Sequence, residues 1–166
     1  MAFSITIATN QLDKPILQSL TSTGVASNVH EPGYEVSAND GRKFQYVQFD
    51  SSGVAAVAGA PCVWAVTTAD NEHIACADVS DASLCGCGIF LSILTDTYYG
   101  WIQTEGFAQD CPSTDGAGAD VAAGDPLGPT VDALWTKVTV GGTTMEGAVA
   151  LEAGSSGYGN IMLQKA

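Results

Sequence analysis

The stretch from Tyr99 to Leu163 constrains the fold most, because it alternates short apolar runs with glycine-rich turns. Its apolar residues do not recur at the three- and four-residue spacing of an amphipathic helix. The runs and turns are, in order, Gly100-Trp101-Ile102-Gln103, Gly106, Val121-Ala122-Ala123-Gly124-Asp125-Pro126-Leu127, Gly147-Ala148-Val149-Ala150-Leu151-Glu152 and Ile161-Met162-Leu163. This pattern predicts an all-β fold, a compact β-barrel or sandwich.

The same pattern of short strands begins earlier in the chain. Strands are predicted over residues 44–50, 61–68, 88–95, 99–109, 135–140, 147–152 and 159–164, with turn residues between them. The run from Ile89 to Leu94 is apolar except for Ser92, which favours a central strand buried on both faces. A short buried helix stays open there, since periodicity does not separate the two.

The first 43 residues differ from the rest and are predicted to form an extended N-terminal arm on a β domain of residues 44–166. Phe3, Ile5 and Ile7 alternate with smaller residues, as in a strand that can add to a sheet edge. Beyond them, turn residues interrupt any long element. Two interpretations remain open: an arm that reaches a neighbouring subunit, or a loop packed on its own barrel.

The charge and composition of the chain limit the classes of partner that it can bind. The chain has 166 residues, a formal net charge of −13 and 46% hydrophobic residues, enough for one domain with a real core. The negative charge disfavours nucleic acid and anionic membranes. Charged residues make up 14% of the chain, against about a quarter in average soluble domains. A surface this poor in charge suits contact with other protein.

Targeting and cysteine content favour a chain made in the cytoplasm. The first seven residues lack the basic and long apolar regions of a secretory signal. The longest apolar run, Val54 to Val66, is shorter than the roughly 18 residues of a membrane span. Five cysteines are an odd set for a disulfide framework, so we expect reduced thiols during folding.

Neither a metal site nor a cofactor is expected. The best zinc set is His73, Cys76, Cys85 and Cys87, but its spacing lacks the usual Cys-x2-Cys pairs. An acidic series recurs every five residues, at Asp110, Asp115, Asp120 and Asp125, without the pattern of a calcium-binding loop. Free thiols and solvated turn residues are the simpler interpretation of both sets.

Catalysis is not expected either. His30 and His73 are the two histidines available as neutral-pH bases, and no Gly-x-Ser-x-Gly nucleophile motif accompanies them. Three tryptophans, Trp64, Trp101 and Trp135, are a possible sugar-stacking platform, although large aromatics in strands more often fill a core. We therefore expect a binding or structural protein rather than an enzyme.

The strand Gly100-Trp101-Ile102-Gln103, the turn Val121 to Leu127 and the late strand Gly147 to Glu152 resemble the β-rich domain of tailed-phage head decoration (capsid cement) proteins. A looser similarity extends back to Gly41. The resemblance implies a structural virion protein made in the host cytoplasm. It also implies that the protein binds the major capsid protein on the outer surface of the phage head, as a homotrimer, and stabilises the shell.

Partner contacts are predicted in two regions, the N-terminal strand and the start of the best-matched strand. The residues are Phe3, Ile5, Ile7, Tyr98, Tyr99 and Trp101. Trp101 is expected either in the core or in a subunit interface. The alternative function is a carbohydrate- or receptor-binding module of a phage tail or fibre.

Overall fold

The structure is a computed structural model that describes residues 11–51, 53–65, 73–78, 86–113, 121–129, 134–138, 148–153 and 157–164. The described residues form strands and turns, with no α-helix among them. The strands are β1 (Glu35–Ser37), β2 (Lys43–Asp50), β3 (Pro61–Trp64), β4 (Ile74–Cys76), β5 (Gly86–Phe90), β6 (Tyr99–Pro112), β7 (Leu127–Pro129), β8 (Trp135–Lys137), β9 (Ala148–Ala150) and β10 (Tyr158–Leu163). The predicted all-β fold is confirmed.

Five strands close into a barrel in the order β2-β4-β3-β5-β6, and β6 pairs back with β2. The closing pair is antiparallel and places Tyr46 opposite Trp101 and Gln45 opposite Ile102. One neighbouring pair, β2 with β4, is parallel. Closure leaves no free edge among these five strands, so the barrel is shielded from edge-to-edge association.

The barrel wall is buried on both faces where β2 and β6 pair. Val47 and Phe49 of β2 point inward with Ile102 of β6 and Phe90 of β5, and small residues such as Ala75 fill the remaining space. Residues two apart share a face, so Phe44 and Tyr46 point outward with Trp101. These outward side chains are also fully buried, which requires a second layer outside the barrel.

The N-terminal segment supplies that outer layer. Residues 11–42 are largely irregular and lie across the outward faces of β2 and β6. Leu20 and Val36 are buried there against Trp101, and Val25 forms a bridge with Tyr99. The sequence leaves open whether this segment reaches a neighbouring subunit or packs on its own barrel. In its described part, the segment packs on its own barrel. Phe3, Ile5 and Ile7 lie outside the described residues.

A second sheet continues from the barrel through the long strand β6. Thr104 of β6 is an extra residue with no partner in the register with β2, and Gly106 adopts a positive φ of 94°. This bulge bends the strand out of the barrel wall. Beyond it β6 pairs with β10, and β10 pairs with β9.

The second sheet and the β7–β8 hairpin cover another part of the barrel's outer face. Trp135 of β8 is fully buried, and its indole N–H donates to the Gly59 carbonyl at 3.0 Å. Ile89 of β5 lies in the same cluster as Ala108, Leu127 and Trp135. A single barrel wall therefore separates three cores: its interior, the N-terminal layer and the C-terminal layer.

The apolar run that begins at Ile89 corrects one prediction. Strand β5 ends at Phe90, rather than continuing to residue 95, and the rival helix does not form. Leu91 and Leu94 are buried, whereas Ile93 is 62% exposed. The run therefore does not form one central strand buried on both faces.

Candidate partner-binding surface

Trp101 occupies the core of its own chain. It is fully buried and its indole N–H donates to the Gln18 carbonyl at 3.2 Å. Its ring meets Tyr46 edge-on, with centroids 5.2 Å apart. The sequence predicts Trp101 either in the core or in a subunit interface, and the structure places it in the core. The residue has no exposed surface for a partner.

The adjacent tyrosines differ in role. Tyr99 exchanges two backbone hydrogen bonds with Val25 and stacks on Tyr46, so it attaches the N-terminal segment to the barrel. Tyr98 is half-buried and follows the turn at Thr97, whose φ is 65°. Of the predicted contact residues within the described part of the chain, Tyr98 and Tyr99 keep exposed surface.

His30 has a structural contact within the N-terminal layer. The backbone N–H of Leu17 donates to its Nε2 at 3.0 Å, so the neutral ring carries its proton on Nδ1. The ring stacks on Tyr34 with centroids 4.8 Å apart. Burial lowers the pKa of His30, which favours this neutral, accepting form.

The metal candidates that the structure describes do not converge. His73 lies beside the Gln45 amide and the Trp64 ring, while the Cys76 thiol accepts the Asp78 N–H and Cys87 faces Cys62. Cys85, Asp115 and Asp120 lie outside the described residues. Among the residues that are described, no three His, Cys, Asp or Glu side chains are grouped as metal ligands.

An apolar row crosses the outer face of the second sheet. Met162 of β10 lies directly opposite Phe107 of β6 on one side and opposite Val149 of β9 on the other. Pro126 forms a bridge with Val149 and extends the row by one more segment. Phe107 is 42% exposed and Pro126 is exposed, while Met162 and Val149 are half-buried. Four uncharged, apolar residues thus lie side by side, two of them exposed and two partly exposed.

Alternation explains why this face is open. The flanking residues Ala108, Ala150 and Ile161 point the other way and are buried in the C-terminal core. A strand residue and its cross-strand partners share one face, so Phe107, Met162 and Val149 must all point outward. Exposed apolar groups on a regular sheet are typical of a surface that contacts another macromolecule.

The turn beside the row is held rigidly. The Asp125 carboxylate accepts the Ala122 N–H at 2.9 Å and pairs with the Lys137 ammonium at 2.9 Å. The Ala122 hydrogen bond, followed by the Lys137 contact, holds the pKa of Asp125 below its usual value. Gly124 donates to the Ala150 carbonyl at 2.8 Å, and Ala150 donates back to Asp125 at 3.0 Å. The turn thereby covers the edge of β9.

The sequence contains part of the signal for this row. Val149 and Met162 alternate with buried neighbours in Gly147-Ala148-Val149-Ala150 and Ile161-Met162-Leu163. This alternation places both side chains on the other face of the sheet from those neighbours. Phe107 is harder to assign, because the bulge at Thr104 lies between it and the barrel part of β6. The cross-strand register that brings the row together depends on pairing between distant strands, which the sequence alone does not specify.

No protein-family model matches this chain, and no curated protein has a significant sequence match to it. Within the described residues, helices of the length and hydropathy needed to span a bilayer do not occur.

Proposed function

We propose that this chain is a structural protein of a virus particle, a decoration protein that binds the outer surface of a tailed-phage head and stabilises it. The resemblance in three segments supports this proposal, and so does their arrangement. The turn Val121 to Leu127 and the late strand Gly147 to Glu152 contact each other through the two hydrogen bonds between residues 124–125 and Ala150. Two of the three similar segments are therefore adjacent, whereas the third, which contains Trp101, is buried in the barrel wall.

The apolar row is the observation that carries the proposal. It is built on the similar segments, since Val149 lies in the late strand and Pro126 in the turn. A row of uncharged side chains can pack against a protein lattice at little desolvation cost. The chain's net charge of −13 favours a position outside the shell, away from packaged nucleic acid.

The stabilising mechanism is mass action. A subunit that binds the assembled lattice, and not the free capsid subunit, shifts the assembly equilibrium toward the lattice. A homotrimer would present three copies of the row at once, and simultaneous contacts raise the overall affinity. The trimer itself is part of the proposal.

Sedimentation with purified heads that lack the protein tests this function. We expect wild type to pellet with the heads and Phe107→Asp to remain in the supernatant, because a buried, unpaired carboxylate is costly at an interface. Ile93→Asp is the matched control: Ile93 is also exposed but precedes β6, outside the row. Equal binding of all three proteins would contradict a role for the row, and no binding of wild type would contradict the function.

The alternative is a carbohydrate- or receptor-binding module. Trp101 and Trp135 are fully buried in two different clusters, so the three tryptophans do not form a stacking platform. A glycan array distinguishes the two functions: specific sugar binding by a protein that does not sediment with heads would favour the alternative.

A further inference from the structure

Two cysteines face each other inside the barrel. The sulfur atoms of Cys62 in β3 and Cys87 in β5 are 3.2 Å apart. Both residues are buried, within the cluster that also contains Val47 and Phe90. The contact connects neighbouring strands of the closed barrel.

A β-bulge creates this contact. Cys62 lies opposite Gly88, and Val63 lies opposite Gly86, so Cys87 is an extra residue in β5. In a regular strand, Cys87 would share a face with Ile89, which points out of the barrel into the C-terminal core. The bulge instead turns Cys87 inward, beside Cys62.

Glycine at position 88 makes the bulge possible. Its φ is 149°, a conformation that residues with a side chain rarely adopt. A Cβ there would lie 2.2 Å from the Gln103 carbonyl oxygen of β6. The Gly86-Cys87-Gly88 sequence therefore has a specific structural result: it brings a second thiol to Cys62.

We propose that Cys62 and Cys87 are a redox site, in which a disulfide bond forms across the β3–β5 pair when the protein meets a small-molecule disulfide such as oxidised glutathione. One protein thiolate attacks the small disulfide, forms a mixed disulfide and releases one reduced molecule. The second protein thiolate attacks the protein sulfur of that mixed disulfide and releases the other reduced molecule. Two protein thiols are oxidised, one disulfide is reduced, and the two protons pass to the released thiolates.

Burial of the two thiols makes thiol–disulfide exchange at this site slow. It raises the pKa of the Cys87 thiol well above the ordinary value, so few thiolates exist in the closed barrel. Exchange therefore requires a local opening of the β3–β5 pair. Once formed, the bond would tether residue 62 to residue 87 and hinder separation of the two strands. This inference does not depend on the proposed function.

Thiol counting on wild-type protein tests the proposal. The reduced protein is equilibrated without denaturant in buffers of increasing oxidised-to-reduced glutathione ratio and quenched with acid. It is then unfolded in denaturant, alkylated near neutral pH and weighed. We expect all five cysteines to be alkylated at the reducing end and two fewer at the oxidising end. Peptide mapping should join Cys62 to Cys87.

The matched control is Cys111→Ser, since Cys111 is buried in the C-terminal core and not in the barrel. It should still lose two thiols on oxidation, whereas Cys62→Ser and Cys87→Ser should form no intramolecular disulfide. Oxidised wild type should also unfold at a higher urea concentration than reduced wild type. Full alkylation at every ratio, or a disulfide mapped to another pair, would overturn the proposal whatever the stability of the variants.

Discussion

At the scale of single residues, Trp101 shows how one side chain joins two layers. It fills the space between β2 and the N-terminal segment and donates to the Gln18 carbonyl. We expect Trp101→Ala to lower the free energy of unfolding by about 3–5 kcal/mol, measured by urea denaturation. Trp101→Phe retains most of the ring and should cost less, about 1–3 kcal/mol for the unpaired carbonyl. Unchanged stability of Trp101→Ala would contradict the core position.

His30 gives the N-terminal layer a pH dependence. The unfolded chain protonates this residue near its ordinary pKa of 6.5, whereas the folded chain resists protonation because burial lowers the pKa. The unfolded state then binds more protons below that value, so folding stability should fall as the pH drops through 6.5. A proton on Nε2 would also face the Leu17 N–H donor.

Urea denaturation of wild type and His30→Gln between pH 7.5 and 5.0 measures this contribution. These limits lie about one unit or more on each side of an unperturbed histidine pKa. The variant should lose less stability over that interval, because its amide does not titrate. Identical losses in both proteins would show that His30 does not contribute. The lowered pKa values of Asp40 and Asp125 act in a separate window, since those carboxylates have an ordinary value of 3.8.

At the scale of elements, the described part of the N-terminal segment is packed on the barrel. Gln18 and Leu20 are buried against the barrel, and the Tyr46 hydroxyl donates to the Gln18 side chain at 2.8 Å. We expect deletion of residues 2–20 to destabilise the fold strongly, because it removes these contacts. Deletion of residues 2–10 removes the predicted partner contacts Phe3, Ile5 and Ile7 and should weaken attachment to heads. Circular dichroism measures the first effect and head sedimentation the second. Native-like stability of the longer deletion, or full attachment of the shorter one, would contradict these expectations.

The strands show what a sequence can predict at this scale. Strands β2, β6 and β10 are long enough to express alternation or turn boundaries, and their predicted positions are close to those observed. Strands β1, β4 and β7 lie outside the predicted ranges, whereas the equally short β8 and β9 lie within them, because longer apolar or alternating runs surround those two. The end of β5 at Phe90 differs from the predicted end because a run that is apolar except for Ser92 contains little information about where the chain bends.

At the scale of the whole molecule, closure of the barrel was beyond sequence reasoning. The pattern of short strands and turns favours a barrel or a sandwich, but the choice depends on the pairing of β2 with β6, which are distant in the chain. The same pairing determines that Trp101 faces the N-terminal layer. The apolar row likewise depends on register, because Phe107, Met162 and Pro126 come from three separate segments.

Cryo-electron microscopy of purified virus particles containing this protein tests the proposed function. We expect density for the barrel on the outside of the shell, with the sheet face bearing Phe107 and Met162 against the capsid protein. Particles carrying Phe107→Asp should lack that density, and particles carrying Ile93→Asp should retain it. Density inside the shell, at the tail, or absent from wild-type particles would contradict the account.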